Sequence, residues 1–166
     1  MAPAPVAERL DEVRTRMADA CARAGRPEEA VRLVAVTKMI PLAQVVEACQ
    51  AGQWDLGENR IPAAVDRQPE LAALLGEAEL PADQVRWHFI GHLQSNKVGK
   101  AAGRFHLLHS IDSLRLAEKL SRLAAGAGRT ERVLLEVNIS AEGQKTGLDA
   151  GLALETAARL AALPGL

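Results

Sequence analysis

Short apolar, β-branched runs alternate with helical patterns along almost the whole chain, and this alternation limits it to a few folds. The runs at 31–36, 54–56, 85–90, 106–111 and 133–139 read as strands. Helical patterns follow them at 42–51, 62–75 (broken near Pro69), 95–102, 114–125 and 148–162. A lead helix over 6–24 carries Val6, Leu10, Val13 and Met17 at helical spacing and is stopped by Gly25 and Pro27. Residues 1–5 read as a flexible Ala/Pro tail, and 163–166 as the approach to a sixth strand. Strand–helix units in series imply parallel strands joined by right-handed crossovers. A doubly wound open sheet and part of a (β/α)8 barrel both fit, and the lead helix and short units favour the barrel. A complete barrel takes about 250 residues and seldom fewer than about 200, whereas this chain has 166. The expectation is an α/β chain: one incomplete TIM-type barrel domain over 1–166, truncated after about five βα units and cut from a longer protein.

Composition narrows the function classes. Hydrophobic residues make up 48% and charged residues 25%, an ordinary globular balance with material for a core. A net charge of −1 gives no broad electrostatic footprint for nucleic acid. The start has no basic region followed by an apolar one, so it does not read as a secretory signal, and no stretch approaches a membrane span. Cys21 and Cys49 form neither a metal spacing nor a disulfide framework, which favours the cytoplasm. The four histidines lack a metal-ligand pattern, so no metal is expected.

Lys38 closes the first apolar run, just before Met39-Ile40-Pro41. It therefore stands at the C-terminal end of a strand, where open α/β sheets and barrels place their chemistry. Desolvated there, a lysine becomes an amine nucleophile toward an aldehyde. The plain alternative is a solvated lysine ending a strand.

Other polar residues fall at the same end of their strands: Gly57-Glu58-Asn59, Gly91-His92, Ser110 with Asp112, and Asn138 with Ser140. In a parallel α/β fold these converge on one rim, as a site requires. Strands must also end in ordinary loop formers, which explains the same pattern without a site. His88, inside the third strand, reads more simply as a satisfied core histidine than as a ligand. Gln94-Ser95-Asn96-Lys97 at a helix start offers amides to an anion, against the simpler reading of Ser95 as an N-cap. Gly143-Gln144-Lys145-Thr146-Gly147 lacks Walker spacing and reads as a loop with one cation.

Five blocks together resemble the YggS/PROSC family, the pyridoxal phosphate homeostasis proteins. They are Val34-Ala35-Val36-Thr37-Lys38, Leu56-Gly57-Glu58-Asn59, the run from Trp87 to Lys97 (WHFIGHLQSNK), His109-Ser110-Ile111-Asp112 and Val137-Asn138-Ile139-Ser140. The resemblance implies a barrel of the alanine-racemase N-terminal type. It implies that Lys38 holds pyridoxal 5′-phosphate (PLP) as an internal aldimine, that Asn59 lies beside the cofactor, and that His88 belongs to a pocket-lining strand. It implies a carrier in intracellular PLP homeostasis with no established turnover and no catalytic residue. Its partners would be PLP and the PLP-dependent apo-enzymes that receive it, and the full-length chain is expected to be a monomer.

The sequence departs from the family pattern in three places. Arg60 stands where a tyrosine usually follows the Gly-Glu-Asn motif, and His92 where a proline is common. The Ser/Gly-rich loop and Arg-Ile-Gly turn that bind phosphate in the family are absent from this sequence. Two other functions remain open. A PLP-dependent racemase or decarboxylase of this fold generally needs a second base, often tyrosine, and the sequence contains none. A Schiff-base aldolase would use Lys38 without a cofactor.

Overall fold

A computed structural model describes residues 4–140 and 146–166. Part of the loop at 143–147 and the start of the tail at 1–5 therefore lie outside the described residues. Five strands form one sheet in the order β1 (Ala35–Val36), β2 (Asp55–Glu58), β3 (Arg86–Phe89), β4 (Leu107–Ile111) and β5 (Val133–Leu135). The helices are α1 (Val6–Arg23), α2 (Leu42–Gln50), α3 (Ile61–Glu77), α4 (Val98–Ala101), α5 (Leu114–Gly126) and α6 (Ala153–Ala161). This is the expected α/β alternation with parallel pairing, and it is consistent with a truncated TIM-type barrel.

The chain divides into two compact units, 1–56 with 68–85 and 57–67 with 86–166. In the first, α1 packs on α2 around Cys21, Val45, Ala48 and Cys49, all buried. Arg14 Nη1 donates to the Ala51 carbonyl at 2.8 Å, closing the end of α2. The Gln53 amide donates to the carbonyls of Leu33 and Asp55 at 2.9 and 2.8 Å. A buried amide satisfied in this way fixes the chain on either side of it.

In the second unit β3 pairs with β4, His88 opposite Leu107 and Phe89 opposite Leu108. The β4–β5 register shifts between Leu108 and Ile111. Phe89, Leu93, Val98, Phe105, Leu108, Leu116 and Leu120 form the core, with the Phe89 and Phe105 rings 5.4 Å apart and tilted by 57°. Tilted aromatic pairs add to the area they bury. Ser113 caps α5, its side chain accepting from the Leu116 amide at 3.4 Å.

Several boundaries differ from expectation. The first strand is only Ala35–Val36: Val31 is still the C-cap of a 3₁₀ turn at Glu28–Ala30, and 32–34 are not strand. Helix α3 passes through Pro69 without ending, although a proline there has no N–H for the turn before it. The 95–102 helix begins as a 3₁₀ turn, Ser95–Lys97, whose N-cap is Gln94 rather than Ser95. The fifth run splits into β5 and β6 (Val137–Asn138), and β6 pairs in parallel with β7 (Leu148–Asp149). That last strand takes the first residues of the expected 148–162 helix. The Asp149 carboxylate accepts from Gly151 N–H at 2.8 Å, which starts a 3₁₀ turn before α6.

Candidate functional site

Lys38 lies in the first unit, in a turn just past β1. Ile40 N–H donates to the Thr37 carbonyl at 3.0 Å, which closes the turn around Lys38 and Met39. Met39 sits at φ 62 and is 94% exposed. A non-glycine residue in the left-handed region stores backbone strain, and such strain recurs at binding sites. Thr37 beneath the turn is buried, whereas Lys38 is exposed. The expected desolvation of the amine is thus not present, because two-residue strand β1 ends before Lys38 and the turn lifts it into solvent.

Asn59 and His88 lie in the second unit. Asn59 follows β2 directly and lines a cavity of about 570 Å³ together with Arg60, Phe89, His92, Gln94 and Lys97. Its place is set by close packing: a Cβ at Gly91 would come within 2.8 Å of the Asn59 Cα and carbonyl carbon. Ile90 N–H also donates to the Glu58 carbonyl at 2.9 Å, tying the two turns together. His92 Nδ1 lies 3.5 Å from Asp112 Oδ2. The ends of β2, β3 and β4 therefore do bring their polar residues together within this unit.

His88 is buried and sits away from that cavity's lining. Its Nδ1 is 2.8 Å from His109 Nε2, one ring donating to the other according to tautomer. The His106 ring is tilted by 54° against that of His88 with centroids 5.7 Å apart, and Arg132 Nη1 donates to His106 Nε2 at 2.7 Å. Burial lowers the His109 pKa from its ordinary value, and the nearby His88 lowers it further. At the end of β6, Ser140 Oγ donates to Asn138 Oδ1 at 3.2 Å, so these two residues engage each other. Sequence reasoning missed the Glu58–Arg67 ion pair, the His88–His109 pair and the part played by Lys97. Only Lys97 left a signal, as the cation of Gln94-Ser95-Asn96-Lys97.

The alanine racemase N-terminal domain family matches residues 9–166, and the chain belongs to it. Within this class it is similar to proteins named for pyridoxal phosphate homeostasis. The one from Escherichia coli K12 is 37% identical over 161 residues, 97% of this chain and 66% of that protein. The one from Pseudomonas aeruginosa PAO1 is 40% identical over 142 residues, 86% of this chain and 58% of that protein. The chain thus spans less than two thirds of the length of these relatives. Their names state cofactor homeostasis and no reaction.

Among solved structures, a Bifidobacterium adolescentis protein described as unknown matches with a TM-score of 0.87 at 36% identity, covering 97% of this chain and 66% of that one. PipY of Synechococcus elongatus PCC7942, solved with PLP bound, matches with a TM-score of 0.74 at 37% identity, covering 96% of this chain and 66% of that one. Among the described residues, no helix is long and apolar enough to cross a membrane.

Proposed function

We propose that this chain binds PLP, carries it as a Schiff base on Lys38 and serves intracellular homeostasis of the cofactor without a reaction of its own. The observation that carries this reading is the turn at 37–40, which holds the Lys38 amine exposed at the C-terminal end of β1. The likeness to PLP-bound PipY supports it.

The donor set suits the cofactor. An exposed amine can bond to an aldehyde carbon, the carbonyl oxygen leaving as water. The Asn59 carboxamide makes no hydrogen bond among the described residues and faces a cavity, so it can serve polar ring substituents. When bound, PLP supplies an aldehyde and an electron-withdrawing ring. In this reading Lys38 anchors the cofactor, Asn59 lies beside it, and His88 belongs to the pocket-lining strand β3. The proposed setting is the cytoplasm, with PLP-dependent apo-enzymes as recipients.

Titrating the chain with PLP while recording visible absorbance tests the reading. A saturable new band in the wild type that is missing in Lys38→Ala is the expected result. A band of equal strength in both would remove Lys38 as the anchor.

A further inference from the structure

We propose that the exposed face of α4 and α5 docks an acidic helix of a partner protein. The proposal goes beyond the Lys38 reading and does not depend on it.

Charge is divided unevenly along this chain. Up to residue 85 the acids outnumber the cations, fourteen to nine. From Arg86 to Arg132 nine cations face three acids, so the net charge of −1 conceals a basic stretch. Two of those three acids are engaged. Asp112 accepts from Ser113 Oγ at 3.0 Å and lies 3.5 Å from His92 Nδ1. Glu131 is buried and accepts from Gly103 N–H at 2.6 Å. On α5 the cations Arg115, Lys119 and Arg122 stand at i, i+4 and i+7, one stripe on the face opposite the buried Ala117, Leu120 and Ala124. All three are exposed, and so is Lys100 on α4, which packs against α5. Lys119 Nζ donates to the Ser95 carbonyl at 2.7 Å and fastens α5 to the 3₁₀ turn that leads into α4. Among the described residues, Lys100, Arg115 and Arg122 make no ion pair, and neither does Glu118, the third acid.

This pattern works against the helix that carries it. Like charges at i and i+4 repel each other. Arg115 also sits in the first turn, which holds no acid and where the helix dipole disfavours a cation. A local choice that opposes the fold points to a use outside it. A helix with carboxylates at the same four- and seven-residue spacings answers the stripe charge for charge. Leu123, 40% exposed and one turn on from Lys119, supplies an apolar anchor at the edge of the stripe. Nucleic acid and membrane fit this face less well. The Trp and Phe side chains of this unit, Trp87, Phe89 and Phe105, are buried, so no base can stack on them. Four cations also fall short of the roughly 6–10 phosphate contacts of a strong duplex binder. One leucine is too little apolar surface to hold a helix in a bilayer.

Fluorescence anisotropy with a labelled helical peptide, its glutamates at i, i+4 and i+7 beside one leucine, tests the face. The full chain is expected to bind it saturably, more weakly as salt rises, and more tightly than a scrambled peptide of the same composition. Arg115→Gln combined with Arg122→Gln should weaken binding about fivefold or more. Lys119 is left in place because its ammonium holds the Ser95 carbonyl. The double variant should unfold at no lower a temperature than wild type, because it removes repulsion and an unfavourable dipole contact. A face kept for stability alone would lose stability instead. No saturable binding, equal affinity for the scrambled peptide, or unchanged affinity in the double variant would overturn the proposal. So would a lower unfolding temperature of that variant, or tighter binding of duplex RNA or of phosphatidylserine vesicles. None of these results bears on Lys38.

Discussion

Arg67 Nε lies 3.2 Å from Glu58 Oε1, and the Glu58 side chain is only 1% exposed. Glu58 ends β2 and Arg67 stands in α3, so the pair clamps the turn that carries Asn59. The glutamate of the Gly-Glu-Asn motif is thus a structural anchor, and the asparagine beside it is the residue offered to the cavity. Removing Arg67 takes a cation away from an almost fully buried carboxylate, and breaking such a pair costs about 3–5 kcal/mol. Arg67→Ala should therefore lower the urea midpoint sharply, and Arg67→Met with Glu58→Leu should recover much of the loss. A wild-type midpoint for Arg67→Ala would show that the pair contributes nothing.

The histidine pair makes stability depend on pH. His109 has a folded pKa below its ordinary value of 6.5, from burial first and from His88 second. Between that depressed value and 6.5 the unfolded chain binds more protons than the folded one. The contribution of this group is therefore complete above pH 6.5 and is lost as pH falls below it. His88 is the neighbour whose charge penalises a proton here. Denaturant midpoints should fall between about pH 7.5 and about pH 5.5, and His109→Gln should flatten the slope. A variant with the same slope as wild type would place the titration elsewhere.

Gly91 is required for space. A methyl group there meets the Asn59 backbone at 2.8 Å, and backbone cannot swing aside as a side-chain tip can. Gly91→Ala should cost about 1–3 kcal/mol, the usual range for overpacking. It should also shift the amide resonance of Asn59 and weaken ligand binding in the cavity that Asn59 lines. Unchanged stability and an unmoved Asn59 resonance would contradict the close approach.

Much of this was legible in the sequence because the signals are local. Short apolar runs and the 3.6-residue period mark the parallel α/β alternation, and Gly25 marks the end of α1 where the structure has it. Lys38 could be singled out because it closes an apolar run, whereas Asn59 is singled out only by the family resemblance. What the sequence hid was tertiary. Nothing local distinguishes the Glu58 that pairs with Arg67 from a solvated acid. His88 meets His109 only because β3 and β4 pair in one register. The length of β1 was overread because four apolar residues in a row satisfy a strand pattern whether or not a neighbour pairs with all of them. The 148–162 helix was overread in the same way, since Leu148 fits a helical face but is taken by pairing with Val137.

The most direct test of the account is borohydride reduction of the PLP-loaded chain, followed by peptide mapping. A stable pyridoxyl adduct is expected on the peptide carrying Lys38, at Lys38 itself, and none on that peptide in Lys38→Ala. An adduct confined to another lysine, or no adduct at saturating PLP, would contradict it.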